Sequence, residues 1–238
     1  MPSGTEQKLL RKLNQRKYRW QEKLFIAEGP KVISDLVAEG LTPLKAWSTE
    51  LNSPYQTISE KELKELSSLS TANQSLAIFP FPEQYFGQSS RVLILDRIND
   101  PGNLGTLIRT ADWFGFSEIY CLPGTADIFN PKTVQSTMGS IARVNIAYAD
   151  APEVYKTLKE SYTLLSADMQ GLPIGKLSQD AHGKIALLLG SESHGPSDFW
   201  QDKTQAITIE KANAHSAIDS LNVAVAGAIL MQKMAVQL

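Results

Sequence analysis

Cysteine is nearly missing from this chain. Among 238 residues there is one, Cys121, inside the apolar run Ile119–Leu122. That excludes a disulfide framework and argues against a cysteine-based zinc site, so no metal is expected. Cys121 reads as a buried strand residue. Long hydrophobic runs are missing too. The longest, Val223–Met231, is interrupted by Gly227 and is too short to span a bilayer. The opening residues, MPSGTEQKLLRK, lack the apolar core of a secretory signal. These absences predict a soluble, cytoplasmic protein with no membrane partner. The chain also has no Gly-Lys-Ser/Thr phosphate loop, no Gly-x-Gly-x-x-Gly fingerprint, no internal repeat and no low-complexity tract. What remains, 42% apolar and 20% charged residues, is the composition of a folded globular protein.

The net charge of −2 hides an uneven distribution. Residues 8–23 carry Lys8, Arg11, Lys12, Arg16, Lys17, Arg19 and Lys23 against Glu22 alone, so the remainder is acidic. Leu9, Leu10 and Leu13, then Trp20 and Leu24, recur at roughly helical intervals, with the basic residues on the other face. A solvated helix face would look the same. Tyr18 and Trp20, however, lie among the cations. Cations that neutralise phosphates beside rings that stack on bases suit RNA. Lys12, Arg16, Lys17 and Arg19 are the candidate contacts.

Two blocks follow. Phe25–Gly29 reads as a strand and turn, Pro30 to about Val37 as a helix ended by Gly40, and Leu44–Ser48 as a strand. Ser59-Glu-Lys-Glu62 is a capping box before a helix with Leu63 and Leu66, and Gln74–Phe79 is a third strand. This is a small α/β domain over residues 1–80. Residues 81–90 read as a linker. From Arg91 to Leu238 strand candidates alternate with helices: Val92–Leu95, Glu118–Leu122, Arg143–Ala147, Thr163–Ala167, Ile185–Leu189 and Ala206–Ile209. That predicts an α/β domain with a largely parallel sheet, whose ligands sit beyond the carboxyl ends of the strands.

Three stretches in that domain carry polar residues in suggestive spacing. In Asp100–Ala111, Asn103 is a candidate helix cap, Gly105 permits close approach, and Arg109 with the helix N-terminus could hold an anion. In Gly190-Ser-Glu-Ser-His-Gly195, two readings compete. Ser193, with Asp198 or Asp202 and His215, has the residue order of a serine hydrolase. Against that, Ser191 stands where the elbow needs glycine, and Pro196–Trp200 does not look like the following helix. Alternatively Gly190-x-Glu192-x-x-Gly195 is a loop whose backbone meets a cofactor. The third stretch, Asp219–Leu230, begins with Ser220 as a candidate cap and Asn222, then a helix rich in small residues.

Taken in order, Asn103-x-Gly105-x-x-x-Arg109-x-Ala111, Gly190-x-Glu192-x-x-Gly195 and Ser220-Leu-Asn222 resemble the three motifs of the SpoU/TrmH RNA ribose 2′-O-methyltransferases. Asn130-Pro131 and Ser136-x-Met138-Gly139 look like that family as well. The basic stretch, with Lys17-Tyr-Arg19 and Phe25-x-x-Glu-Gly29, is similar to the substrate-binding domain of its rRNA-modifying branch. The resemblance implies a SPOUT-type α/β domain with a deep trefoil knot, preceded by a small L30e-like α/β domain, working as a homodimer. It implies S-adenosylmethionine as cofactor, held around Ala167, Leu189, Gly190, Gly195, Ile209 and Leu221, and RNA as substrate, rRNA ahead of tRNA. It carries Arg109 over as the catalytic arginine, with Asn103, Glu192, Ser220 and Asn222 as polar site residues. The chain departs from the pattern at Ile209-Glu210-Lys211, where an Ile-Pro-Met-like stretch is common, and residues 212–219 form a longer segment. A non-catalytic RNA-binding relative would share many of these residues.

Overall fold

The structure is a computed structural model that describes residues 2–69, 72–177, 183–213 and 217–236. The chain forms two compact units. The first comprises Met1–Glu83 together with Asp127–Arg143, and the second Gln84–Ala126 together with Val144–Leu238.

In the first unit the basic stretch is two helices, α1 (Gly4–Leu13) and α2 (Arg16–Glu22), rather than the single helical run its periodicity suggests. Gln15 is extended and breaks them. Ser3 and Glu6 close a capping box at the start of α1, and Lys23 ends α2 in the left-handed conformation. Then follow β1 (Leu24–Glu28), α3 (Pro30–Ala38), β2 (Lys45–Ser48), β3 (Gln56–Thr57), α4 (Glu60–Leu66) and β4 (Ser75–Pro80). Pro30 opens α3 and the Ser59–Glu62 capping box opens α4, as the sequence predicts. The two-residue β3 had no signal in the sequence. The sheet order is β1-β4-β2-β3, antiparallel except for the β2–β3 pair. Leu10 and Leu13 of α1 join Ile26, Trp47, Leu63, Leu66, Leu76 and Ile78 in one apolar core.

The stretch Asp127–Arg143, which the sequence places inside the second domain, packs in this first unit. It contains α5 (Pro131–Thr137), opened by Asn130 and Pro131. Asp127 sits at its head. Arg19 is 2% exposed and donates through Nε and Nη2 to Asp127 Oδ2 at 2.8 and 2.6 Å, and through Nη1 to the Leu13 carbonyl at 2.7 Å. Trp20 Nε1 donates to the other Asp127 oxygen at 3.0 Å, and its ring packs edge-on against Phe81 and Phe129.

The second unit holds a six-stranded, wholly parallel sheet in the order β10-β8-β9-β5-β6-β7. Its strands are β5 (Arg91–Leu95), β6 (Glu118–Cys121), β7 (Asn145–Tyr148), β8 (Tyr162–Pro173), β9 (Lys184–Leu189) and β10 (Gln205–Thr208). The helices are α6 (Pro101–Trp113), α7 (Ala151–Leu158) and α8 (Val223–Val236). The continuous apolar runs in β5 and β9 follow from their central place, buried on both faces, with Leu95 paired to Leu189 at the carboxyl end. After β5 the chain moves toward β6, whereas after β9 it moves to β10 on the opposite side. The connections therefore diverge between β5 and β9, and a crevice belongs beyond their carboxyl ends.

Candidate active site

The loop after β5 delivers α6. Asp100, not Asn103, is its N-cap: the Asp100 carboxylate accepts from the Asn103 amide at 2.8 Å, and Pro101 takes the first helical position. The cap fixes Asn103 one turn in and leaves its side chain free to reach elsewhere. It reaches Glu192, donating from Nδ2 to Oε1 at 3.0 Å. The loop after β9 carries that glutamate.

Asn222 completes the cluster. Its Nδ2 donates to Glu192 Oε1 at 2.8 Å and to Asn103 Oδ1 at 3.1 Å, and the Val223 amide reaches the same glutamate oxygen at 3.3 Å. Asn222 Oδ1 meanwhile accepts from the amides of Ala224 and Val225 at 3.0 and 3.4 Å. Asn222 is thus the cap of α8, the role the sequence reading gave to Ser220, which is exposed and stands outside the network. Asn103, Asn222 and Val223 all donate to one oxygen of Glu192, which lies 89 and 30 positions from the two asparagines. Every polar atom of the Asn222 side chain is used, so it is a rigid spacer. Glu192 Oε2 accepts no hydrogen bond among the described residues.

Arg109 lies further along α6, exposed, without a hydrogen bond or ion pair among the described residues. A guanidinium so placed is available to an anion. Trp113, one turn on, is 84% exposed.

The loop geometry explains its glycines. A Cβ on Gly190 would lie 2.0 Å from the Gly195 carbonyl carbon and 2.1 Å from the Pro196 nitrogen. Gly195 takes φ +62°, and Ser191 and Gly195 exchange backbone hydrogen bonds of 3.2 and 2.9 Å. Only a 3₁₀ turn at Asp198–Trp200 follows, where a nucleophile elbow would be followed by a helix. Ser193 Oγ lies 2.6 Å from Nδ1 of its neighbour His194, both exposed. His215, the histidine of the hydrolase reading, lies outside the described residues.

Of the cofactor candidates, Ala167 lies just beyond the last β8 residue paired to β9, and Gly190 and Ile209 directly follow β9 and β10. Leu189 and Gly190 are buried, Ala167, Gly195 and Ile209 half-buried, and Leu221 exposed. Of the RNA candidates, Lys12, Arg16 and Lys17 are exposed in the first unit, and the ammonium groups of Lys12 and Lys17 flank the Tyr18 ring at 5.6 and 5.9 Å. Arg19 does not belong with them. Its burial and its ion pair with Asp127 spend its donors inside the fold, and Trp20, expected to stack on bases, is packed beside it. The sequence reading also missed Asp96 and Arg97. A polar pair directly after four apolar strand residues was the available signal.

No group of three or more metal-ligating side chains occurs among the described residues, and no helix there is long and apolar enough to cross a membrane.

A parallel sheet with polar side chains gathered where its connections diverge is the plan of an α/β ligand-binding domain. Comparison with known proteins narrows the class. The SpoU rRNA Methylase family matches residues 90–232, and an MRM3-like substrate binding domain matches residues 6–77. The chain is 31% identical over 232 residues to the 23S rRNA (guanosine(2553)-2′-O)-methyltransferase RlmP of Bacillus subtilis, covering 93% of this chain and 92% of that protein. Its fold superposes on a TrmH-family structure from Porphyromonas gingivalis with TM-score 0.83 and 30% identity over 98% of both chains. It also superposes on an AdoMet-bound rRNA methyltransferase from Sinorhizobium meliloti with TM-score 0.82 and 26% identity, over 98% of this chain and 95% of the other. The protein belongs to the SpoU rRNA methylase family.

Proposed function

We propose that this protein methylates a ribose 2′-hydroxyl of large-subunit, 23S-type rRNA, using S-adenosylmethionine. The observation that carries the reading is the Asn103–Glu192–Asn222 network, which joins the loops after β5 and β9 to the head of α8, where the family's motifs fall. The match to RlmP over nearly the whole of both chains favours rRNA over tRNA.

The residues present fit the cofactor. Glu192 Oε2 offers a carboxylate oxygen to a hydroxyl or ammonium donor. Backbone at Leu189, Gly190 and Ile209 lies at the carboxyl ends of β9 and β10, Gly195 closes the loop after β9, and Leu221 is an exposed apolar side chain next to Asn222. When bound, S-adenosylmethionine supplies an activated sulfonium methyl. The remaining task falls to the chain: hold the ribose, orient its hydroxyl and keep water out. Arg109 is suited to clamping the phosphate next to the target ribose. A guanidinium keeps its proton too firmly to serve readily as a base, and clamping needs no change in its protonation. Asn103 and Asn222 hold Glu192 as a fixed acceptor.

The reading extends to the assembly and the setting. Val225, Ile229 and Val236 leave an apolar stripe exposed on α8, and Trp113 does so on α6. Such a surface supports a homodimer formed through these helices. The deep trefoil knot, the L30e-like first domain, RNA contacts by Lys12, Arg16 and Lys17, and a cytoplasmic location belong to the same reading.

The test is to incubate purified protein with large-subunit rRNA and labelled S-adenosylmethionine and to map ribose methylation. We expect one or a few 2′-O-methyl sites. Arg109→Ala should lower the rate by about 100-fold or more at unchanged melting temperature. Absence of ribose methylation on rRNA and tRNA alike sinks the proposal. Transfer to tRNA alone would replace its substrate.

A further inference from the structure

We infer that Asp96 and Arg97 form a clip on the Gly190–Gly195 loop, and that Arg97 is thereby a positioning residue for the cofactor. The inference rests on the reading of that loop as the cofactor loop.

Both residues directly follow β5. Asp96 is buried, and its amide donates to the Leu189 carbonyl at 2.9 Å, where the loop begins. Its Oδ2 accepts from the Ser197 amide at 2.6 Å, two residues past the loop. Arg97 Nη2 donates to the Gly195 carbonyl at 3.2 Å, at the loop's end. The dipeptide thus holds the entry, the end and the exit of one loop. The two side chains also form an ion pair without a hydrogen bond, with Arg97 Nε 3.4 Å from Asp96 Oδ1.

Arg97 takes φ +60°, the left-handed region that few residues other than glycine adopt. Its stem runs against Gly124, where an added Cβ would meet Arg97 Cγ at 3.0 Å. The consequence falls on Glu192, in the middle of the loop. Its bonds to Asn103 and Asn222 are 3.0 and 2.8 Å long, and a shift of the loop by about an ångström would take them out of hydrogen-bond range. Arg97 is poorly placed to bind RNA phosphate, because one amino group is spent on a carbonyl and its charge faces Asp96.

The variants are Arg97→Gly, which accepts the left-handed backbone while removing the guanidinium, and Arg97→Lys, which keeps the charge. Three measurements apply to the intact protein: the calorimetric Kd of S-adenosylmethionine, amide exchange at Gly195 and Ser197 without cofactor, and RNA affinity as a function of salt. We expect Arg97→Gly to raise the cofactor Kd about tenfold and to speed exchange at both amides. Arg97→Lys should recover part of the affinity, and RNA affinity and its salt slope should stay unchanged. Wild-type cofactor affinity and exchange in Arg97→Gly overturn the clip. So does a weaker RNA affinity with a shallower salt slope, because Arg97 then meets a phosphate. If the wild-type protein binds no S-adenosylmethionine, the cofactor reading of the loop fails instead, and the exchange rates still decide the clip.

Discussion

Gly190 and Gly227 are both closely surrounded glycines, but what surrounds them differs. A Cβ added at Gly190 would meet backbone of Gly195 and Pro196 at 2.0–2.3 Å. One added at Gly227, in α8, would meet the ends of two side chains, Leu107 Cδ2 at 2.6 Å and Leu189 Cδ1 at 2.8 Å. Side-chain ends can rotate away, whereas a loop closed by paired backbone bonds must open. Gly227→Ala should therefore cost an overpacking penalty of about 1–3 kcal/mol in urea unfolding and keep cofactor binding. Gly190→Ala should abolish cofactor binding measured by calorimetry. Equal cofactor affinity in the two variants would contradict this account of the loop. At this scale the sequence was informative in a specific way. The family resemblance named Asn103, Glu192 and Asn222 together, and these three side chains meet, whereas Ser220, named with them, stands outside the network. It could not say how they meet. The caps at Asp100 and Asn222 depend on where each helix begins, and that is settled by backbone paths which periodicity does not resolve.

Among the elements, α1 and α2 show where pattern reading runs out. Helical spacing separates an apolar face from a basic one, but it cannot tell which cation finds a buried carboxylate 108 residues away. Arg19 and Lys17 look alike in the sequence, yet one is interior and the other exposed. Their substitutions should separate cleanly. Replacing Lys12 and Lys17 together by Ala should leave the melting temperature unchanged, weaken RNA binding, and lower the salt slope by about 1.4–1.8, the release expected for two phosphate contacts. Arg19→Ala leaves the Asp127 charge buried without its cation and should cost about 3–5 kcal/mol in unfolding free energy. If Arg19→Ala instead unfolds like wild type and only weakens RNA binding, the buried pair has been misread. The strands were the most legible elements. β5 and β9 are continuous apolar runs because central parallel strands are covered on both faces.

For the molecule as a whole, the two-block plan could be read from the change at residues 80–90, but the membership of Asp127–Arg143 could not. Nothing in that stretch's composition says which core its apolar residues join. Stability carries a further mark of the first unit. Glu28 is buried at the end of β1, and burial raises its carboxyl above the ordinary value of 4.5, opposed by hydrogen bonds from Ser67 and Ser68. The folded chain then holds this proton where the unfolded chain has lost it. Its contribution is therefore fully present below the unfolded value and is lost as pH rises through the raised folded one. Glu28→Gln, which resembles the protonated form, should gain stability relative to wild type from about pH 4.5 upward, seen as a urea midpoint difference that widens toward neutrality. A difference independent of pH would remove Glu28 from that role. The discontinuity of the first unit also has a consequence in time. Synthesis runs from the N-terminus, so Arg19, Trp20 and Phe81 leave the ribosome before Asp127 and Phe129 have been made. Until then the unit waits with a cation unpaired and an aromatic surface uncovered. A domain that looks as though it comes first in the chain therefore finishes folding only after β5, α6 and β6 of its neighbour have been translated.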